Sequence, residues 1–153
     1  MKRICLLFLL SAMTVSVQGQ AIFPNILQMV ESLRVTVDFS NGEDATQCTP
    51  FESAVKTRIE LRLRRAGIRV VNLSPTQMHF STVAVHAGLC AVSYSTQVVM
   101  VAFPDGGDMV VLLGLEDSGI MTRSQYSESR EAVRIQSDEA ADLVANEILK
   151  ARQ

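Results

Sequence analysis

Hydrophobic and polar residues alternate in several stretches of the chain, and this period of two is typical of strands with one buried face. The first is "LRVTVDF" at 33–39, where every second residue is apolar. Later stretches predict a second to a fifth strand and a short sixth: "IRVVNL" (68–73), "MHFSTVAVHA" (78–87), "AVSYSTQVVMVAF" (91–103), "MVVLLGL" (109–115) and "SGIMTRS" (118–124). The "PDGGD" at 104–108 is typical of a hairpin turn between two of them.

A helical period replaces the alternation after the first strand. Val55, Ile59 and Leu63 fall on one side of a helix that we predict from about 50 to 66. Thr49, Pro50 and Glu52 make a capping box with proline in the first helical position, and Gly67 makes a stop signal.

A second long helix is predicted near the C-terminus, in "SDEAADLVANEILKAR" at 137–152, with Ser137 as its cap. The polar "QYSESRE" at 125–131 is predicted as loop. At the other end, "IFPNILQMVESL" at 22–33 fits a short amphipathic helix beginning near Pro24, or an arm that leads into the domain.

These elements give the order β-α-β-β-β-β-α and predict an α+β fold, a two-layer sandwich. The first two strands flank a helix and should be parallel, and the later ones should form an antiparallel meander, so the sheet is mixed. Both main helices are then expected on one face. The other face carries Val99, Val101 and Phe103 at one end. That apolar end is either an interface or is covered by the arm at 22–32.

The first 21 residues have the features of a secretory signal peptide. Lys2 and Arg3 precede an uncharged, mostly apolar run, and small residues allow cleavage after Ala21 or after Gly19. The run is short for a membrane span, although an uncleaved anchor is the alternative. We therefore expect one domain at 22–153, periplasmic or secreted, with a mature chain that does not span a membrane.

Charge limits the class of partner. Loss of Lys2 and Arg3 leaves 12 bases against 16 acids, a net charge of −4. A nucleic-acid-binding domain would usually be basic, so we expect no nucleic-acid partner.

Cys48 and Cys90 remain after cleavage, and two cysteines in an oxidising compartment favour a disulfide. The predicted strand order argues against it. With a strand at 68–73, Cys48 and Cys90 fall at opposite ends of the sheet, about 25–30 Å apart and beyond bridging range. Both outcomes stay open on the sequence.

Three arginines of the first helix form a ladder of like charge, Arg58, Arg62 and Arg65. Lys56 and Arg64 each have a glutamate four residues earlier, in the favourable order, so these bases are accounted for. The ladder is either the solvated margin of the core, with an acid such as Asp38 as partner, or a contact for an anionic ligand or an acidic partner.

No sequence motif for catalysis or for a metal site is apparent, and we predict no cofactor. His79 and His86 are an odd number of residues apart on one predicted strand, so they should point to opposite faces and not share a metal. An enzyme would have to be a small hydrolase without a recognisable motif, with one histidine in a cleft beside a carboxylate.

At "VTVDF", "ELRLRRAGIRVV" and "DEAADLVANEILKA" the chain resembles a group of exported bacterial proteins of uncharacterised function. In that group a strand, a helix with a similar "AGI" ending, a strand meander and a C-terminal helix follow in this order. The resemblance implies the fold and bacterial export, and it implies no activity or site residue. The layout is also similar to small α+β domains of envelope assembly and accessory proteins. We expect a non-catalytic binding or accessory protein, with a homodimer or an envelope protein as its partner.

Overall fold

A computed structural model of the chain describes residues 23–103 and 109–153. The predicted signal peptide, with both cleavage sites, and the predicted turn at 104–108 lie outside the described residues.

The described residues form a four-stranded sheet and two main helices, which confirms the predicted α+β class with a mixed sheet. The order is β-α-β-β-β-α, one strand fewer between the two helices than the sequence predicted. The elements are β1 (Arg34–Asn41), α1 (Glu52–Arg65), β2 (Thr76–His86), β3 (Cys90–Ala102), β4 (Val110–Arg123) and α2 (Tyr126–Ala151), with short 3-10 helices at Pro24–Met29 and Glu43–Ala45.

The strands lie in the sheet in chain order. β1 pairs with β2 in parallel, with Val35 opposite Met78, and α1 makes the connection. β2, β3 and β4 form an antiparallel meander, in which Gly88 makes the first turn at a φ of +76°. β1 and β4 are therefore the two edges of the described sheet.

The predicted strand at 68–73 is wrong. Only Val70 touches a strand partner there, through an isolated parallel bridge to Leu33. The segment is a connection between α1 and β2 whose apolar residues are still buried. Ile68 is in the core, and Val70 packs on the margin of the core. β2 consequently takes the place beside β1 that the sequence had given to 68–73.

The predicted fifth and sixth strands are one strand, β4. The register to β3 shifts between Val98 and Val99, where Leu115 and Leu113 are the successive partners and Gly114 is the extra residue. A bulge absorbs one residue without ending a strand, so the change of pattern around Gly114 did not mark a boundary.

The loop predicted at 125–131 is instead the start of α2, which begins at Tyr126. Ser129 and Val133 are buried there, and the Ser129 hydroxyl donates to the Cys48 carbonyl over 2.8 Å. Ser137, predicted as the cap, lies buried inside the helix and donates to the Arg134 carbonyl over 2.7 Å. Tertiary contacts thus hold as helix a segment whose polarity indicated loop.

α1 ends as predicted and begins differently. Gly67 has a φ of +87°, and the Ile68 amide donates to the Leu63 carbonyl over 2.9 Å, as in a glycine-terminated helix. At the start no side chain caps the helix. Glu52 accepts instead from the Phe39 amide of β1 over 2.8 Å, which ties the helix to the strand and replaces the predicted capping box.

One core lies between the helices and the sheet. Its largest wholly buried side chains come from all layers, including Ile59 and Leu63 of α1, Phe80 of β2, Val92 of β3 and Ile148 of α2. The small residues predicted on the last helix, such as Ala141 and Ala145, are buried in the same core.

The arm before β1 packs against α2 and β4. Ile26 and Leu27 lie over Gly114, where an added Cβ would come within 2.7 Å of the Ile26 side chain. On the outer face of the sheet, Val99 and Val101 are half-buried, and Phe103, just after β3, is 63% exposed.

Candidate functional site

Two arginines of the predicted ladder are paired with acids of α2. Arg58 donates to both oxygens of Asp138, from Nε over 2.7 Å and from Nη2 over 2.6 Å. Arg62 approaches Asp138 through Nε at 3.1 Å and donates through Nη1 to Asp142. The two arginines are four residues apart on α1, and the two aspartates are four residues apart on α2, so the pairs match along facing helices.

The charges of this network support one another. Burial favours the protonated form of Asp138, but the hydrogen bonds and charges of Arg58 and Arg62 outweigh it and hold the pKa of Asp138 below its ordinary value of 3.8. The hydrogen bond to Asp138 raises the pKa of Arg58, and the hydrogen bond to Asp142 raises that of Arg62.

Arg65 is the member of the ladder that the network leaves out. No acid of residues 23–103 or 109–153 lies within ion-pair distance of it. It borders a shallow hollow of about 290 Å³ together with Arg58, Leu61, Arg62 and Asp138. The hollow thus combines three arginines with one carboxylate, which is already paired with two of them.

The structure joins Cys48 to Cys90, with the two Cα atoms 5.6 Å apart. The sequence argument against this bond was wrong because it counted a strand at 68–73. With that strand removed, β2 runs parallel to β1 and brings Ala84 opposite Asn41. The turn into Cys90 therefore lies at the same end of the sheet as the loop that carries Cys48.

The disulfide is wholly inside the protein. Cys48 is 0% and Cys90 1% exposed, and both belong to the core. Beside it, the Tyr126 ring packs on His86 with centroids 5.1 Å apart. The bond therefore fastens the loop after β1 to the turn between β2 and β3, and the Ser129 hydrogen bond to Cys48 ties the start of α2 to the same place.

A cleft of about 670 Å³ opens where α1 begins. Phe51 projects from its rim, 85% exposed, and Arg130 and Arg134 of α2 line the opposite side. Asn41 donates to the Thr49 hydroxyl over 3.0 Å, while its carbonyl oxygen is buried without a partner. The cleft combines aromatic surface with positive charge, although Glu52 lies within it.

A second cleft, of about 540 Å³, runs between the edge strand β4 and α2. Its apolar residues include Met121, which packs on the core, and Ile135, which is 49% exposed. Ile120, 78% exposed, lies at its border with the side chain on the outer face of the sheet, opposite Ser93. Its charged residues are Arg123, Glu128, Glu131 and Glu139. We call this the β4–α2 groove. Tyr94 also lines the groove. Burial raises the pKa of Tyr94, and the negative charges of Asp117 and Glu139 raise it further.

The two histidines do not share a site. His79 lies on the outer face, with Nδ1 2.9 Å from the Thr36 hydroxyl and Nε2 3.5 Å from Asp38. His86 contacts the Tyr126 hydroxyl at 3.3 Å. Neither lines the four clefts and hollows characterised in the described residues. Within residues 23–103 and 109–153 no cluster of three metal-ligating side chains occurs.

Sequence reasoning missed the partners of the ladder and the β4–α2 groove. The matched spacing of Asp138 and Asp142 is a usable signal for the partners, whereas only Asp38 is named from the sequence, as an example of an acid that could pair. In the part of the chain that the structure describes, no helix is both long and apolar enough to cross a membrane.

The chain is similar to several solved structures, including the following two. The chain is similar to a minor lipoprotein from Acinetobacter baumannii, at 10% identity and a TM-score of 0.33, covering 78% of this chain and 91% of that one. It is similar to the rare lipoprotein B from Shewanella oneidensis, at 12% identity and a TM-score of 0.33, covering 76% of this chain and 94% of that one. No protein-family model matches the chain, and no curated protein matches it.

Proposed function

We propose that the protein is an exported accessory protein of the bacterial envelope that works by binding another molecule. The observation that carries the proposal is the buried disulfide between Cys48 and Cys90. Disulfides form and persist in oxidising compartments and are rare where thiols are kept reduced. A bond placed in the core, between two segments 42 residues apart, supports folding in the periplasm or outside the cell. The signal-peptide features of residues 1–21 point the same way.

The binding role is supported by large apolar side chains left on the surface. Phe51 and Ile120 are 85% and 78% exposed, each at the border of a cleft. Apolar surface left exposed among polar residues at a cleft is a feature of interaction sites. The partner is a protein of the envelope or a second copy of the chain.

The alternative role as a hydrolase requires a histidine that lies in a cleft beside a carboxylate, and His79 meets only the second condition. Asp38 is near the ring, but His79 lies on an open sheet face and outside the characterised clefts. The Thr36 hydroxyl is 3.3 Å from the Met78 carbonyl as well as 2.9 Å from His79 Nδ1. The Thr36 hydroxyl therefore has two acceptors within reach, the Met78 carbonyl and, in one tautomer of the ring, His79 Nδ1.

Export is tested by producing the chain with its own N-terminal segment in a bacterium and separating periplasm from cytoplasm. We expect the periplasmic protein to begin at Ile22, or at Gln20 for the alternative cleavage site. After alkylation without reductant, digestion should yield one peptide pair joined through Cys48 and Cys90. A cytoplasmic protein with an intact N-terminus in which Cys48 and Cys90 are both alkylated would contradict the proposal.

Binding is tested by crosslinking the protein in its native envelope and identifying what copurifies in stoichiometric amount. Two variants, Phe51→Ser and Ile120→Ser, each change one exposed apolar residue at one cleft, and each serves as the control for the other. Loss of the crosslinked species in one variant assigns the surface. Turnover of a substrate by the purified protein without a partner would favour the hydrolase instead.

A further inference from the structure

Within residues 23–103 and 109–153, the outer edge of β4 carries a row of backbone groups that no strand pairs with. The Val101 amide donates to the Pro75 carbonyl over 2.8 Å, so odd-numbered residues of β3 turn their backbone groups toward β2. Because antiparallel pairs alternate, even-numbered residues of β3 bond to β4, and their partners there include Asp117, Gly119 and Met121. The intervening residues, among them Ser118 and Ile120, direct their N–H and C=O groups away from the sheet.

The described residues leave this edge open over 116–122. No strand of residues 23–103 or 109–153 pairs with β4 on that side. Nearer its start, the Phe23 amide donates to the Leu113 carbonyl over 2.6 Å, so the arm covers only the beginning of β4. Long open edges are usually shortened, covered or blocked, because they template pairing with other chains.

The groove beside the edge selects the chemistry of a strand added there. Met121 and Ile135 offer apolar surface, while Glu128 and Glu139 carry negative charge on the α2 side. A strand lying along β4 would direct every second side chain over this groove. Apolar side chains flanked by lysine or arginine would complement it.

A second copy of the chain fits the groove poorly. Its own β4 would bring Glu116 and Asp117 and a single base, Arg123, within residues 115–123. Antiparallel pairing about Ile120 does set Asp117 opposite the other copy's Arg123, but the acids of both α2 helices would face each other across the joint. Charge therefore favours a different, basic partner.

We propose that the β4 edge at 116–122 receives an extended segment of a partner protein, which adds as a fifth strand and places apolar and basic side chains in the β4–α2 groove. The inference rests on the proposed binding role and names its surface and partner chemistry. Main-chain hydrogen bonds would supply affinity and the groove would supply selectivity.

The test uses a short synthetic peptide with the sequence Thr-Lys-Thr-Val-Thr-Lys-Thr, in which the two lysines and the valine project on one face and the threonines on the other. Hydrogen exchange is followed by NMR on the purified protein. At saturation we expect exchange at the Ser118, Ile120 and Thr122 amides to slow by about tenfold or more. The Gly119 and Met121 amides, already bonded to β3, should change little. A peptide with Glu for Lys, and one with Pro for Thr, should give no protection.

Variants separate the groove from general electrostatics. Glu128→Lys with Glu139→Lys should weaken the lysine peptide at least about fivefold, because two attractions become repulsions. Glu43→Lys with Asp44→Lys makes the same change of net charge in the loop before α1 and should have little effect.

Three results would overturn the inference: binding of the lysine peptide without protection at Ser118, Ile120 and Thr122; protection of these amides in the free protein at low concentration; or a dimer by sedimentation whose formation protects them. The last would assign the edge to a second copy. If strand addition at the β4 edge is refuted but an envelope partner is still crosslinked at another surface, the proposed binding function stands.

Discussion

Replacement of Asp138 by asparagine tests whether the α1–α2 ion network stabilises the fold. The asparagine keeps the size of the side chain and one acceptor, and removes the charge that both Arg58 and Arg62 contact. The Asp138 side chain is 9% exposed, whereas those of the two arginines are 46% and 39% exposed. Hydrogen bonds to charged groups are each worth about 1.5–3 kcal/mol net, but the freed arginines reach water. We expect a loss of about 2 kcal/mol in the free energy of unfolding.

The matched control is Asp142→Asn. Asp142 contacts Arg62 alone, and its side chain is 53% exposed. Exposed ion pairs contribute about 0.2–1 kcal/mol, so the control should lose no more than about 0.5 kcal/mol. Urea unfolding with the disulfide intact, followed by far-ultraviolet circular dichroism because the chain has no Trp, measures both variants.

The effect of Asp138 should depend on pH in one direction. Its folded-state pKa is lowered from 3.8, so its contribution is complete above that value and is lost as pH falls through the lower folded-state pKa. The difference between Asp138→Asn and the unaltered protein should therefore shrink between about pH 4 and about pH 2. Equal losses for Asp138→Asn and Asp142→Asn, or a difference that does not change with pH, would refute the reasoning.

Three further perturbations test other contacts. Replacing Cys48 and Cys90 by alanine should cost about 4 kcal/mol in the free energy of unfolding, and reductant should then have no further effect; a loss below about 1 kcal/mol would contradict the role given to the bond. Gly114→Ala should cost about 1–3 kcal/mol by displacing the arm, with proteolysis at the arm as readout, whereas Gly42→Ala, with 3.7 Å to its nearest neighbour, should be almost neutral. Arg65→Ala should change the melting temperature little, and preferential stabilisation by sulfate that depends on Arg65 would restore the anion site.

The disulfide shows how one misassigned element can reverse a conclusion. The alternation of "IRVVNL" is a fair strand signal, because a buried connection and a half-buried strand present the same pattern. A false strand turned the next one around and separated Cys48 from Cys90. Only the pairing of β2 with β1 shows that the two cysteines meet.

The arginine ladder shows a different limit. The sequence shows the run of like charge on the helix and the need for acids to pair with it. Which acids pair with the arginines depends on how α1 and α2 lie against each other, and that is a property of packing. The exposed groove beside β4 was equally hidden, because Ile120 and Ile135 read as ordinary apolar positions on a strand and on a helix.

The sequence by itself determined what is local: the period of β1 and of the meander strands, the core side of α1, its end at Gly67, and the α+β class with a mixed sheet. These depend on side-chain spacing and backbone preference within a few residues. The tertiary structure decided the strand count, the start of α2 at Tyr126, the Cys48–Cys90 bond, the partners of Arg58 and Arg62, and the open edge of β4. Each depends on contacts between residues far apart in the chain, whose energies exceed the local preferences that the sequence displays.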